Sequence, residues 1–135
     1  MNNSELIKAA LEARGLSYSP YSGFAVGAAL LCKDGSVFTG CNIENSAFTP
    51  TNCAERTAFF KAVSEGKKDF VKIAVVGGNA DKQPDNYCPP CGVCRQVMKE
   101  FCSPDFEIIM AKNADDYNVM TLAHLLPASF DKREV

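Results

Sequence analysis

The sequence predicts an α/β fold: a mixed β-sheet with helices on both faces, in three layers, α-β-α. Two observations carry this expectation. Helical and strand patterns succeed one another in the order α-β-β-α-β-α-β-α. The segment Phe24–Cys32 is apolar or small on both faces, so it needs cover on both sides. A hairpin followed by β-α-β-α-β requires parallel crossovers, and crossovers lay helices over the sheet.

Within 4–14, Leu6, Ile7, Ala10 and Leu11 fall on one helical face, with Ser4 suited to the N-cap and Gly15 to the C′ position. Ser19-Pro20-Tyr21-Ser22-Gly23 reads as a turn. In the strand after it, Phe24, Val26, Ala28 and Leu30 share one face, and Ala25, Gly27, Ala29 and Leu31 the other. Asp34-Gly35 is a hairpin signal, so a second strand is expected over 37–43. Pro50-Thr51-Asn52 introduces a helix over 53–64, ended by Gly66. Phe70 to Val76 is a short apolar strand closed by Gly77-Gly78, and 79–90 is a polar loop holding Pro84, Pro89 and Pro90. A helix over 91–102 turns Val97, Met98 and Phe101 inward. A strand over 106–110 and a short helix over 121–126, stopped by Pro127, complete the order. No repeat or linker interrupts it, so a single domain, 1–135, is expected.

The composition, 47% hydrophobic and 22% charged, is that of an ordinary globular domain. Lys and Arg number 14 against 16 Asp and Glu, a net charge of −2 with no basic block, which excludes an electrostatic footprint for nucleic acid or an anionic membrane. No apolar run approaches the about 20 residues that span a bilayer. Met1-Asn2-Asn3-Ser4-Glu5 lacks the positive region of a signal peptide. A soluble, cytoplasmic protein is expected. The departure from ordinary composition is 7 cysteines. An odd count without a secretion signal argues against a disulfide framework and for metal ligands or redox groups.

Cys91-Gly92-Val93-Cys94 puts two thiols at i and i+3 on one helical face. Cys53 opens another helix, and helix N-termini favour thiolate. Should the two helices lie side by side, three thiolates surround one point. Glu55 then reaches a ligand of the metal without binding the metal. Three protein ligands and an open fourth position describe catalytic zinc, with Glu55 as proton acceptor. Three thiolates outweigh the dication, so a cation is needed, and Arg56 and Arg95 stand beside the ligands in sequence. Spacing alone leaves rivals open. Cys91 and Cys94 suit a redox dithiol. Cys88 would complete a structural four-cysteine zinc site. Glu55 would pair with an Asn52 N-cap in a capping box. An iron–sulfur cluster fits less well, because the next cysteine is Cys102.

Cys53-Ala54-Glu55, followed after a helix and a strand by Pro90-Cys91-Gly92-Val93-Cys94-Arg95-Gln96-Val97, resembles the signature of the zinc-dependent cytidine deaminase family. Tyr21-Ser22-Gly23-Phe24-Ala25-Val26-Gly27-Ala28-Ala29 resembles that family's substrate-side first strand, and Asn42-Ile43-Glu44-Asn45 its ribose-binding motif. Leu125-Leu126-Pro127 with Phe130 resembles its C-terminal end. The similarity spans nearly the whole chain and points to the small homotetrameric, three-cysteine type. It implies the deaminase-like three-layer fold, one Zn2+ per subunit, and hydrolytic deamination of cytidine and 2′-deoxycytidine in pyrimidine salvage. It implies Cys53, Cys91 and Cys94 as zinc ligands, Glu55 as proton shuttle and Arg56 as the cation that offsets the thiolates. Asn42 and Glu44 correspond to ribose contacts, Phe24 to an aromatic wall of the pocket, and the Ala54 backbone to a pyrimidine contact. Phe48, where the family often has tyrosine, and Phe130 correspond to residues facing a neighbouring subunit's site. Cys88 is not a family ligand position, and His124 carries no assigned role. A relative acting on a blasticidin-type nucleoside shares the zinc motifs, but Asn42, Glu44 and Phe24 favour plain nucleosides.

Overall fold

The computed structural model describes residues 1–132; the last three positions of the expected 1–135 domain lie outside them. The elements are α1 (Asn3–Arg14), β1 (Phe24–Cys32), β2 (Val37–Cys41), α2 (Ala54–Ser64), β3 (Phe70–Asn79), α3 (Gly92–Phe101), β4 (Glu107–Asn113), β5 (Asp116–Thr121) and α4 (Leu122–Leu125). The five strands form one sheet in the order β2-β1-β3-β4-β5. β1 pairs antiparallel with both β2 and β3, β3 pairs parallel with β4, and β4 pairs antiparallel with β5.

The two-faced pattern of β1 divides the interior as expected. Ala29 and Leu31, with Ala74, Val76, Ile109 and Ala111 from β3 and β4, pack against Leu6, Ile7 and Ala10 of α1. Ala28 and Leu30, with Ile73, Val75, Ile108 and Met110, pack against α2 and α3 on the opposite face. Phe59 of α2 centres that second layer, fully buried and edge-on to Phe70 at 5.0 Å between ring centroids. Burying one such side chain contributes about 1.5–3 kcal/mol.

Several local expectations are revised. The N-cap of α1 is Asn2, which forms a capping box with Glu5, while the Ser4 hydroxyl donates to the Ala114 carbonyl at 2.9 Å. Gly15 stays right-handed, with φ −63°. β3 continues through Gly77-Gly78 to Asn79, because β1 offers partners along its whole length, up to Phe24 opposite Asn79. β5 has no counterpart in the predicted order: none of its residues is buried, its apolar Tyr117 and Met120 pack against opposite layers, and pairing with β4 makes it a strand. β2 ends at Cys41, two residues early. Ile43 instead bridges Tyr18 and Asn52, which carries the 42–45 segment along the opening of the sheet.

Topology explains where a site forms. β2 and β3 each run antiparallel to β1 and therefore run in the same direction. α2 follows β2 and α3 follows β3, so both helices begin beyond the same end of the sheet. Gly40 seats α2 closely: a Cβ there would stand 2.4 Å from the Ala54 carbonyl oxygen and 2.6 Å from the Ala58 nitrogen. Any side chain at Gly40 would lift the first turn of α2 away from the start of α3.

Candidate metal centre and nucleoside cavity

Cys53 and Cys91 occupy the N-cap positions of α2 and α3, and Cys94 lies one turn into α3. The sulfurs of Cys53 and Cys91 are 3.6 Å apart, and those of Cys91 and Cys94 3.3 Å. The three form one cluster within 4.8 Å, the only such group of metal-binding side chains among the described residues. Tetrahedral zinc, with Zn–S bonds of about 2.3 Å, sets its sulfurs about 3.8 Å apart. The donor set therefore fits one zinc ion and leaves a coordination position free.

The electrostatics suit thiolate. The Cys53 thiol is held down to about 5, foremost by a hydrogen bond from Cys94 and also by Arg56. Cys94 is correspondingly pushed up by its hydrogen bond to Cys53 and by burial. Zinc ligates thiolates, so metal binding displaces whatever thiol protons the cluster holds. The Arg56 Nη2 donates to Cys53 Sγ at 3.2 Å, while its Nε is buried without a partner among the described residues. Arg95 directs its Nε and Nη1 hydrogen bonds to backbone rather than to a sulfur. Its Nε donates to the Pro90 carbonyl at 2.8 Å and its Nη1 to the Leu125 carbonyl at 2.7 Å. Cys88 stands outside the triad. Burial, then the nearby Glu55 and Cys53, push its thiol up to about 12. Its sulfur is not part of the cluster that the other three form.

Glu55 does not form the capping box, since Asn52 is not the cap; the Asn52 amide donates to Thr57 Oγ1 at 3.2 Å. Glu55 is 4% exposed, and burial pushes its carboxyl up to about 7. A carboxyl poised near neutrality beside a metal position is suited to move protons in both directions.

Glu55, Cys53 and Cys91 line a cavity of about 310 Å3. Phe24, Asn42, Glu44 and Ala54 also line it, so the structure collects these sequence-derived candidates in one place. The size is at the small end of the about 300–1,000 Å3 range of small-molecule sites. The Asn42 amide is largely committed. Its Oδ1 accepts from Val26 N at 2.9 Å and Ser17 Oγ at 2.5 Å, and its Nδ2 donates to the Phe24 carbonyl at 2.8 Å. Glu44 Oε1 accepts from Tyr21 N at 2.9 Å and Ser22 N at 3.1 Å, and Oε2 from the Ser22 hydroxyl. The Ser22 hydroxyl is the foremost cause holding Glu44 below the usual carboxylate range. Among the described residues, one N–H of Asn42 and one acceptor position of Glu44 remain.

Sequence reasoning missed Ser22, Val26, Thr51, Asn52 and Pro89, and it treated Cys88 as a bystander although its thiol lines the cavity. The turn signal and the substrate-side resemblance of residues 21–29 touched Ser22 and Val26 without assigning them a role. Phe48 and Phe130 do not line this cavity. Phe48, exposed and with φ 63°, lines a smaller recess of about 150 Å3 that shares Ser22, Glu44 and Thr51 with the first. Phe130 is exposed, and its carbonyl accepts from Gln96 Nε2 at 3.1 Å.

Three thiols around one point, with a buried carboxyl beside them on a mixed-sheet scaffold, define a mononuclear zinc centre with an acid–base group. Residues 1–110 match the family described as the cytidine and deoxycytidylate deaminase zinc-binding region. A cytidine deaminase of Halalkalibacterium halodurans is 50% identical over 135 residues, covering all of this chain and 98% of the relative. One from Sporosarcina psychrophila is 47% identical over 135 residues, covering all of this chain and 96% of the relative. The crystal structure of cytidine deaminase from Burkholderia pseudomallei superposes with a TM-score of 0.86 at 45% identity, over 96% of this chain and 100% of that one. The chain belongs to the zinc-dependent cytidine and deoxycytidylate deaminase family.

Proposed function

We propose that this chain hydrolytically deaminates cytidine and 2′-deoxycytidine to uridine and 2′-deoxyuridine, releasing ammonia in pyrimidine salvage. One observation carries the reading: two residues of the sulfur triad, Cys53 and Cys91, line with Glu55 the same cavity that Asn42 and Glu44 line. Cys53, Cys91 and Cys94 hold one zinc ion per subunit, and bound zinc supplies the Lewis acidity that makes water nucleophilic at neutral pH. Glu55 takes one proton from the attacking water and passes it to ring N3, then takes the second from the new C4 hydroxyl and gives it to the amino group, which leaves C4 as ammonia. Phe24 forms an aromatic wall for the base, and the Ala54 backbone meets the pyrimidine edge. Asn42 retains one donor and Glu44 one acceptor, which together satisfy a single sugar hydroxyl. That count supports acceptance of ribose and deoxyribose alike. The chain works as one domain in a cytoplasmic homotetramer. There the exposed Phe48 and Phe130 complete the site of a neighbouring subunit. No helix among the described residues is long and apolar enough to cross a membrane.

The test is ultraviolet loss of the cytosine chromophore with purified protein, before and after zinc chelation. Zinc-dependent conversion of cytidine to uridine is the expected result. Conversion of blasticidin S but not cytidine would move the assignment to the antibiotic deaminases. Zinc-loaded, folded protein without either activity would overturn it.

Arg56 provides a second check. Its guanidinium helps hold Cys53 low, so Arg56→Ala raises the Cys53 pKa and lets protons compete with zinc to higher pH. Zinc affinity at neutral pH should fall about ten- to a hundredfold, and the midpoint of zinc loading should move upward in pH. A pH titration of zinc binding checks this; an unmoved midpoint removes Arg56 from the charge balance.

A further inference from the structure

We propose that Ser22 is a positioning residue for substrate: its hydroxyl locks the Glu44 carboxylate and joins the sugar-reading end of the cavity to its aromatic wall. The inference rests on the proposed contact between Glu44 and a sugar hydroxyl. Ser22 Oγ donates to Glu44 Oε2 and accepts from the Phe24 backbone N–H at 3.0 Å. An ionised carboxylate only accepts, and an amide N–H only donates, so the direction of both bonds is set. Two further donors from the same turn, Tyr21 N and Ser22 N, occupy Oε1. The carboxylate is thereby held by three bonds from two consecutive residues. The turn geometry permits this because Gly23 adopts φ +68°, a left-handed conformation, and its N–H closes on the Ser19 carbonyl at 3.0 Å. That curl carries Ser22 Oγ back over the Phe24 nitrogen. Without the hydroxyl, Oε2 loses its only donor among the described residues. Glu44 is then tethered at Oε1 alone and free to pivot about that oxygen.

The role predicts a sugar-specific defect. Ser22→Ala should lower the preference for cytidine over 2′,3′-dideoxycytidine about tenfold in kcat/KM, as expected for losing one hydrogen bond to a charged group. The loss should fall on KM for cytidine rather than on kcat. Ser22→Thr, which keeps the hydroxyl, should restore the preference. Equal losses on both nucleosides, or an unchanged preference, would overturn the proposal, since a merely structural serine would not distinguish the sugars. Ser22→Cys, a poor donor of similar size, gives the same readout should the alanine variant fail to fold. Glu44→Ala in the same assay separates the layers. If it leaves the preference intact, the sugar reading itself fails. If it abolishes the preference while Ser22→Ala does not, the Ser22 role alone falls.

Discussion

Glu55→Gln is expected to retain zinc and fold while losing several orders of magnitude in turnover. General acid–base groups contribute about 10²–10⁴-fold each, and Glu55 serves more than one proton transfer in the same reaction. Glutamine keeps the volume and the buried position but neither accepts nor delivers a proton at neutral pH. Metal analysis of the purified variant alongside the cytidine assay checks the result. A zinc-loaded variant turning over near the wild-type rate would remove Glu55 from the mechanism.

The same substitution has a stability consequence with a defined sign. Burial raises the Glu55 carboxyl from 4.5 to about 7. Between those pH values the folded zinc-free chain keeps a proton that the unfolded chain has released. Its stability therefore falls as pH rises through that window. Glutamine carries no such penalty. Zinc-free Glu55→Gln should gain on zinc-free wild type from about pH 4.5 upward, reaching about 3 kcal/mol at pH 7. Denaturant melts at both pH values measure the difference.

Cys91→Ala should abolish zinc binding and activity together. Two remaining thiols cannot hold the ion as three do, and the water-activating chemistry goes with it. Cys91 is the informative ligand to remove because it is exposed; Cys94 is buried, so its loss would also open the core. Cys88→Ser supplies the contrast. Its thiol lies outside the sulfur cluster, so that variant should keep its zinc. Zinc loss from Cys88→Ser would restore the structural four-cysteine site.

Much of the fold was legible because periodicity reports burial directly. The alternation of β1 assigned Ala28 and Leu30 to one layer and Ala29 and Leu31 to the other, and the structure places them so. β5 was not legible, because this edge strand buries no residue fully and its apolar Tyr117 and Met120 fall on opposite faces. The extension of β3 through two glycines was hidden for a related reason: its partner, β1, lies some 50 residues earlier in the chain. Arg95 shows the limit for charges. Adjacency to Cys94 suggested a counter-ion, yet its hydrogen bonds go to two backbone carbonyls.

By itself, the sequence determined the chemistry whose geometry is local. Cys91 and Cys94 share a helical face at i and i+3, and Glu55 lies two residues beyond Cys53 whatever the surrounding fold. Only the tertiary structure decided which thiols meet. The common direction of β2 and β3 brings the starts of α2 and α3 together, placing Cys53 with Cys91 and Cys94 and leaving Cys88 aside. It also decided what Asn42 and Glu44 have left to offer a ligand. Their partners Ser17, Ser22, Phe24 and Val26 lie 16 to 25 residues away in the chain, and no pattern of hydrophobicity records a hydrogen bond across that separation.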